Sequence, residues 1–168
     1  MPQPLSIEQV KKIPPKVLLK LIQRAKDFLK TNKIFLDMCK KYDSDPSFID
    51  NVPVKFGDLD VSARTERGVI TLAFKLLCDG DFFKDYSYLC HESEHYLQQT
   101  CGDKPTIGAD DMDYLKNPYE QEAFATQIEY IKYMFGKEEA DKYLDHLLDH
   151  HDKDGKDRKK IKDKLEAK

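Results

Sequence analysis

The chain has 168 residues, 35% of them charged, and a formal net charge of −3. That length suits one domain with its own core, and the mixed, slightly acidic charge gives no electrostatic reason to expect nucleic acid as a partner. The longest apolar stretches, such as 68–74, fall far short of the roughly 20 residues that cross a bilayer, so no membrane span is expected.

Met1-Pro2-Gln3-Pro4 lacks the basic-then-apolar layout of a secretory signal, which predicts a cytoplasmic, soluble protein. From Ser6 to Lys12 a Ser6…Gln9 capping box opens a short helical turn that Pro14-Pro15 breaks. From Lys16 onward Val17, Leu18, Leu21, Ile22, Ala25, Phe28 and Leu29 recur at helical spacing, and Ile34 to Cys39 follows after Thr31-Asn32. Asp43-Ser44-Asp45-Pro46 reads as a loop. Extended candidates follow within 52–59, 61–65 and 69–74, with a turn at Arg67-Gly68, and predict an antiparallel sheet of about three strands.

After the turn Asp79-Gly80-Asp81, a helix is predicted over Tyr86 to Gln99, stopping near Gly102 and Pro105. Asn117-Pro118-Tyr119-Glu120 starts the next helix, with Asn as N-cap, Pro at N1 and Glu at N3. It should run to about Met134 and stop near Gly136, with one more helix from Lys137 to Leu148. The expected fold is therefore α+β and mainly helical, its small sheet packed against the two helices that begin at Tyr86 and Asn117.

His91-Glu92-Ser93-Glu94-His95 on the first of those helices matches H-E-x-x-H. A shuffled chain of this composition holds that pattern in roughly 1% of arrangements, so its neighbourhood must supply further support. Residues four apart lie one turn above each other, and both imidazoles can address one zinc ion (Zn2+). Glu92, one residue round the helix, can reach water beside the metal without being a ligand.

Three residues compete as third ligand. Cys101 stands where a metzincin has its third His, but Gln98 replaces the Gly that would turn the chain back. In the following helix Glu120 shares the apolar face with Ala123, Phe124, Gln127, Ile128 and Ile131, while Glu122 aligns with Thr126 and Glu129 on the wetter side. A carboxylate aimed at a core requires a positive receiver, which favours Glu120. Against this stand a plain capping box for Glu120 with Asn117, and a solvated surface helix for the motif.

The blocks His91 to Gln99 and Tyr119 to Ala125 resemble a small HExxH zinc metallopeptidase of the gluzincin type, over about 61–134. The resemblance implies His91, His95 and Glu120 as metal ligands, Glu92 as general base, a peptide or protein substrate, and a sheet edge within Val69 to Phe74 that binds it in extended form. It would place residues 1–150 in one metallopeptidase-like domain, with an N-terminal helical part (1–42), a zinc core (52–135) and a C-terminal helix (137–150). Many members of that family carry Asp where this chain has Phe124. Tyr88, Tyr96 and Tyr114 are candidate oxyanion donors, and an aromatic core role competes for each.

Elsewhere Cys39, Cys78, Cys90 and Cys101 show no C-x-x-C spacing, which argues for reduced thiols rather than a zinc knuckle or a redox pair. An EF-hand register on Gly155 would put Ile161 where a carboxylate is required, which argues against calcium. Residues 151–168 read as a charged, solvated tail that is mobile or helical. The alternatives to a peptidase are a catalytically inactive zinc-binding module in a larger assembly and a metal-free helical interaction protein. The oligomeric state is not encoded in any motif.

Overall fold

A computed structural model describes residues 4–101, 117–150 and 155–166 of the chain. Among the described residues, seven α-helices, the motif helix included, and one small sheet make up the fold. Helix α1 (Ile7–Lys11) opens with the Ser6–Gln9 capping box, and α2 (Pro15–Leu29) begins on Pro15 and buries Ile22, Ala25, Lys26 and Leu29. Asn32 caps α3 (Lys33–Lys41) by accepting the Ile34 and Phe35 N–H groups at 3.0 and 3.2 Å. A 3-10 segment, Pro46–Asn51, then leads into the sheet.

Strands β1 (Val54–Gly57), β2 (Ala63–Glu66) and β3 (Val69–Ala73) lie in the order β1-β3-β2. β2 and β3 form the expected antiparallel hairpin, closed by Arg67 and Gly68, whose φ angles of 52° and 76° define a two-residue turn of the primed type. β1, however, pairs parallel to β3, so the sheet is mixed rather than antiparallel. The residues between β1 and β2 only have to span about 10 Å, two strand spacings, which lets β3 return into the gap beside β1. The expectation that the 69–74 strand is an edge is corrected with it: β3 is the central strand, and the edges are β1 and β2.

The motif helix α4 (Tyr86–Thr100) packs on β2 and β3, and on its other side against α5 (Pro118–Phe135). The sheet thus rests chiefly on the motif helix, whereas α5 packs mainly among α3, α4, α6 (Lys137–His150) and α7 (Gly155–Glu166). Asn117 caps α5 by accepting the Tyr119 N–H, and Gly136, at φ 98°, ends it. Because helices flank α5 on several sides, the side read as wetter is partly interior: Thr126 is only 8% exposed.

Residues 155–166 form the helix α7. Ile161 and Leu165, one turn apart on α7, are buried, and α7 packs on α5. Arg158 reaches back to Asp149 at 2.7 Å and Asp145 at 3.1 Å on α6. Among the described residues no helix is long and apolar enough to cross a membrane. The predicted stop of α4 at Gly102 and Pro105 lies outside the described residues.

Ile161→Ala should therefore destabilise the packing of α7, by about 2–4 kcal/mol if the whole fold feels the cavity. Urea denaturation followed by hydrogen exchange over 155–166 checks this. The exposed Lys159→Ala serves as the reference, expected within about 0.5 kcal/mol of the parent.

Candidate metal centre

α4 is unusual in burying its polar side. His91 is 3% exposed, Glu92 6%, Glu94 0% and His95 4%, which rules out a solvated surface helix. Polar groups removed from water require partners, and those of α4 obtain them from β2, α3 and α5.

His91 and His95 face one another one turn apart, with Nε2 atoms 3.1 Å from each other. Glu120, on the first turn of α5, directs Oε1 at both, 2.7 Å from His95 Nε2 and 3.3 Å from His91 Nε2. The capping-box alternative for Glu120 does not describe this carboxylate, since it is turned onto the histidines while Asn117 caps Tyr119. Ligand atoms around a tetrahedral zinc with bonds of 2.0–2.1 Å stand about 3.3 Å apart. Two imidazole nitrogens and a carboxylate oxygen at these separations fit such an ion.

Gln98 strengthens this fit by proton accounting. Its Nε2 lies 3.0 Å from both the Tyr119 carbonyl and Glu122 Oε1, two acceptors, so the amide nitrogen must be at that end. Its Oε1 then faces His95 Nδ1 at 2.8 Å, and His95 donates from Nδ1. Nε2, the atom aimed at Glu120 and His91, is left to hold either a second proton or a metal. Gln98 had been notable in the sequence only as the residue in place of a glycine. Its position three residues after His95, on the same face, was the available signal.

Without a metal the second proton is favoured. Burial opposes charge on His95, but the hydrogen bond to Glu120 and the fields of Glu92 and Glu120 outweigh it and raise the pKa to about 9. For Glu120, burial works toward the neutral acid and is overcome by hydrogen bonds from His91 and His95, which hold the carboxyl far below its usual range.

The other histidine is supported differently. His91 Nδ1 is buried with no hydrogen-bond partner among the described residues, and its ring lies edge-on to Phe124, 4.5 Å between centroids. Phe124, where the resemblance expects Asp, gives His91 an apolar wall.

Glu92 is held beside the cluster by a residue that sequence reasoning missed. Thr65 of β2 donates to Glu92 Oε1 at 2.8 Å, leaving Oε2 3.8 Å from His91 Nε2. Nothing in the sequence links Thr65 to a motif so far along the chain. His91, Glu92 and His95 together offer ligand atoms within 4.8 Å of one another, but Glu120 stands closer to both histidines than Glu92 does.

The competing ligands are placed elsewhere. Glu122 accepts from Gln98 and from Tyr42 instead of facing the histidines. Cys101 is the exposed C-cap of α4, roughly 9 Å beyond His95 along the helix axis. Tyr96 stacks on Phe48, Tyr88 packs edge-on to Tyr143, and Tyr114 lies outside the described residues. A groove between α2 and β1, lined by Leu19, Ile22, Lys26 and Val54, contains none of the cluster.

Among the described residues β2 also presents a backbone edge that no strand pairs. Glu66 and Val69 flank the turn as a hydrogen-bonded pair, and Ala73 N–H bonds Ser62 O at 2.9 Å, so the alternate residues Ala63 and Thr65 turn their backbone groups away from β3. No strand covers that side of β2 among the described residues. Comparisons with protein-family models, curated proteins and solved structures gave no match to this chain.

The His95–Glu120 pair gives a signed pH dependence. Because the folded pKa of His95 is raised, its contribution to stability is complete below the ordinary imidazole value of 6.5 and is lost as pH rises through about 9. Melting temperatures of metal-free protein should fall across that window, whereas zinc-loaded protein, with Nε2 occupied, should lack that component. Equal alkaline losses with zinc and with EDTA would contradict the assignment.

Proposed function

We propose that the protein is a zinc-dependent metallopeptidase of the HExxH, gluzincin-like type, with His91, His95 and Glu120 as ligands and Glu92 as general base. The observation that carries this reading is the convergence of the three ligand atoms within 3.3 Å, with Glu92 anchored just outside them by Thr65.

Zinc bound there would supply Lewis acidity, polarising a carbonyl and making water available as a nucleophile near neutral pH. The chain's own residues account for the remainder. Glu92, tethered through Oε1, keeps Oε2 on the histidine side, where it can take a proton from the attacking water and return it to the leaving amine. Gln98 holds His95 in the tautomer that leaves Nε2 for the metal. An extended peptide would pair with the free edge at Ala63 and Thr65, which sets its backbone along the same strand that anchors the base.

One observation favours a second reading, a closed structural or interaction site. Glu92 lies near enough to His91 to become a fourth ligand, and Glu120, the most exposed of the four residues, is only 8% exposed. Structural zinc sites have four protein ligands, whereas catalytic ones keep a position open.

Glu92→Gln separates the two. As a base, its loss should lower cleavage of an unstructured protein substrate by roughly 100-fold or more while one zinc per chain remains. As a ligand, its loss should weaken zinc binding instead. Cleavage at the parental rate would remove the base assignment.

A further inference from the structure

Lys41 and Tyr42 end α3, in the N-terminal part of the chain, yet both touch a buried carboxylate of the motif helix, Lys41 from the surface and Tyr42 from a half-buried position. Glu94, completely buried, accepts Lys41 Nζ at 2.7 Å on Oε2 and Thr126 Oγ1 on Oε1, and its Oε2 lies 2.8 Å from the Tyr42 hydroxyl oxygen. The same Tyr42 hydroxyl lies 2.9 Å from Glu122 Oε1, the atom that receives the Gln98 amide. Side chains from the end of α3, from α4 and from α5 therefore form one continuous path that finishes at His95 Nδ1.

We propose that Tyr42 is a positioning residue of the metal centre, so that the N-terminal helices are an integral part of the site and not a detachable cover. The proposal rests on the metal-site reading above. Its physical basis is the direction of the Gln98 amide. That group presents its oxygen to His95 only while acceptors hold its nitrogen, and Tyr42 is one of the groups that fixes the Glu122 carboxylate in place. Removing the hydroxyl takes one restraint from the Glu122 carboxylate, which loosens the hold on Gln98 and on the orientation of the His95 ring that aims Nε2 at Glu120. Gln98 is one hydrogen bond removed from a ligand, a kind of partner whose loss alters metal affinity by about 10–100-fold, and Tyr42 acts through it.

The test compares full-length parent, Tyr42→Phe, Gln98→Ala and Ile161→Ala. Zinc affinity is measured by competition with a chromophoric chelator, and the site is read separately from cobalt(II) absorption bands. Tyr42→Phe should weaken zinc roughly 10-fold and shift the cobalt bands, and Gln98→Ala should do so at least as strongly. Ile161→Ala, destabilised at α7, should leave both unchanged, which separates positioning from a general loss of stability. Zinc affinity within about 2-fold of the parent and unaltered cobalt bands in Tyr42→Phe, or in Gln98→Ala if the tyrosine variant does not fold, overturn the proposal. A parent that binds no zinc overturns the metal site itself, a distinct result.

Discussion

Two imidazole nitrogens and a carboxylate oxygen occupy one buried space in this protein, and much of the fold can be understood from what that requires. Each of the three atoms can present a lone pair to the others at 2.7–3.3 Å. Such an arrangement needs protons or a metal ion among them, and without a metal His95 holds the extra proton. Helix α4 brings the histidines together by its periodicity, and α5 must start at the right depth to deliver Glu120.

The surroundings follow from the same constraint. A helix that buries histidines, glutamates, serines and a glutamine cannot sit against a purely apolar partner. β2 supplies Thr65 to Glu92, α5 supplies Thr126 and Glu122, and α3 supplies Lys41 and Tyr42. The apolar core lies around this polar seam, with Leu89, Cys90 and Leu97 of α4 among Phe35, Met38, Ile70 and Leu72. The polar contacts therefore set which neighbour meets α4 on each side, while apolar burial supplies the greater part of the folding free energy.

Local features were the legible ones. Helical spacing placed His91 and His95 on one face, Asn117-Pro118 marked the start of α5, and the apolar company of Glu120 distinguished it from Glu122. The direction of β1 was not legible, because a short connection permits either a meander or an inserted central strand. Thr65 and Tyr42 carried no signal, since their roles depend on contacts 27 and 80 residues away. α7 was obscured by composition, with Ile161 and Leu165 set among charged residues, and the burial of Thr126 by helices packed around α5 that no periodicity predicts.

X-ray absorption at the zinc edge of the purified full-length protein tests the central claim most directly. Two imidazole nitrogens and one carboxylate oxygen predict a nitrogen and oxygen shell at about 2.0–2.2 Å with the outer-shell scattering of two histidines, lost from His91→Ala and His95→Ala. A sulfur shell near 2.3 Å, pointing to cysteine, or a spectrum of hydrated zinc unaffected by those substitutions, would contradict it.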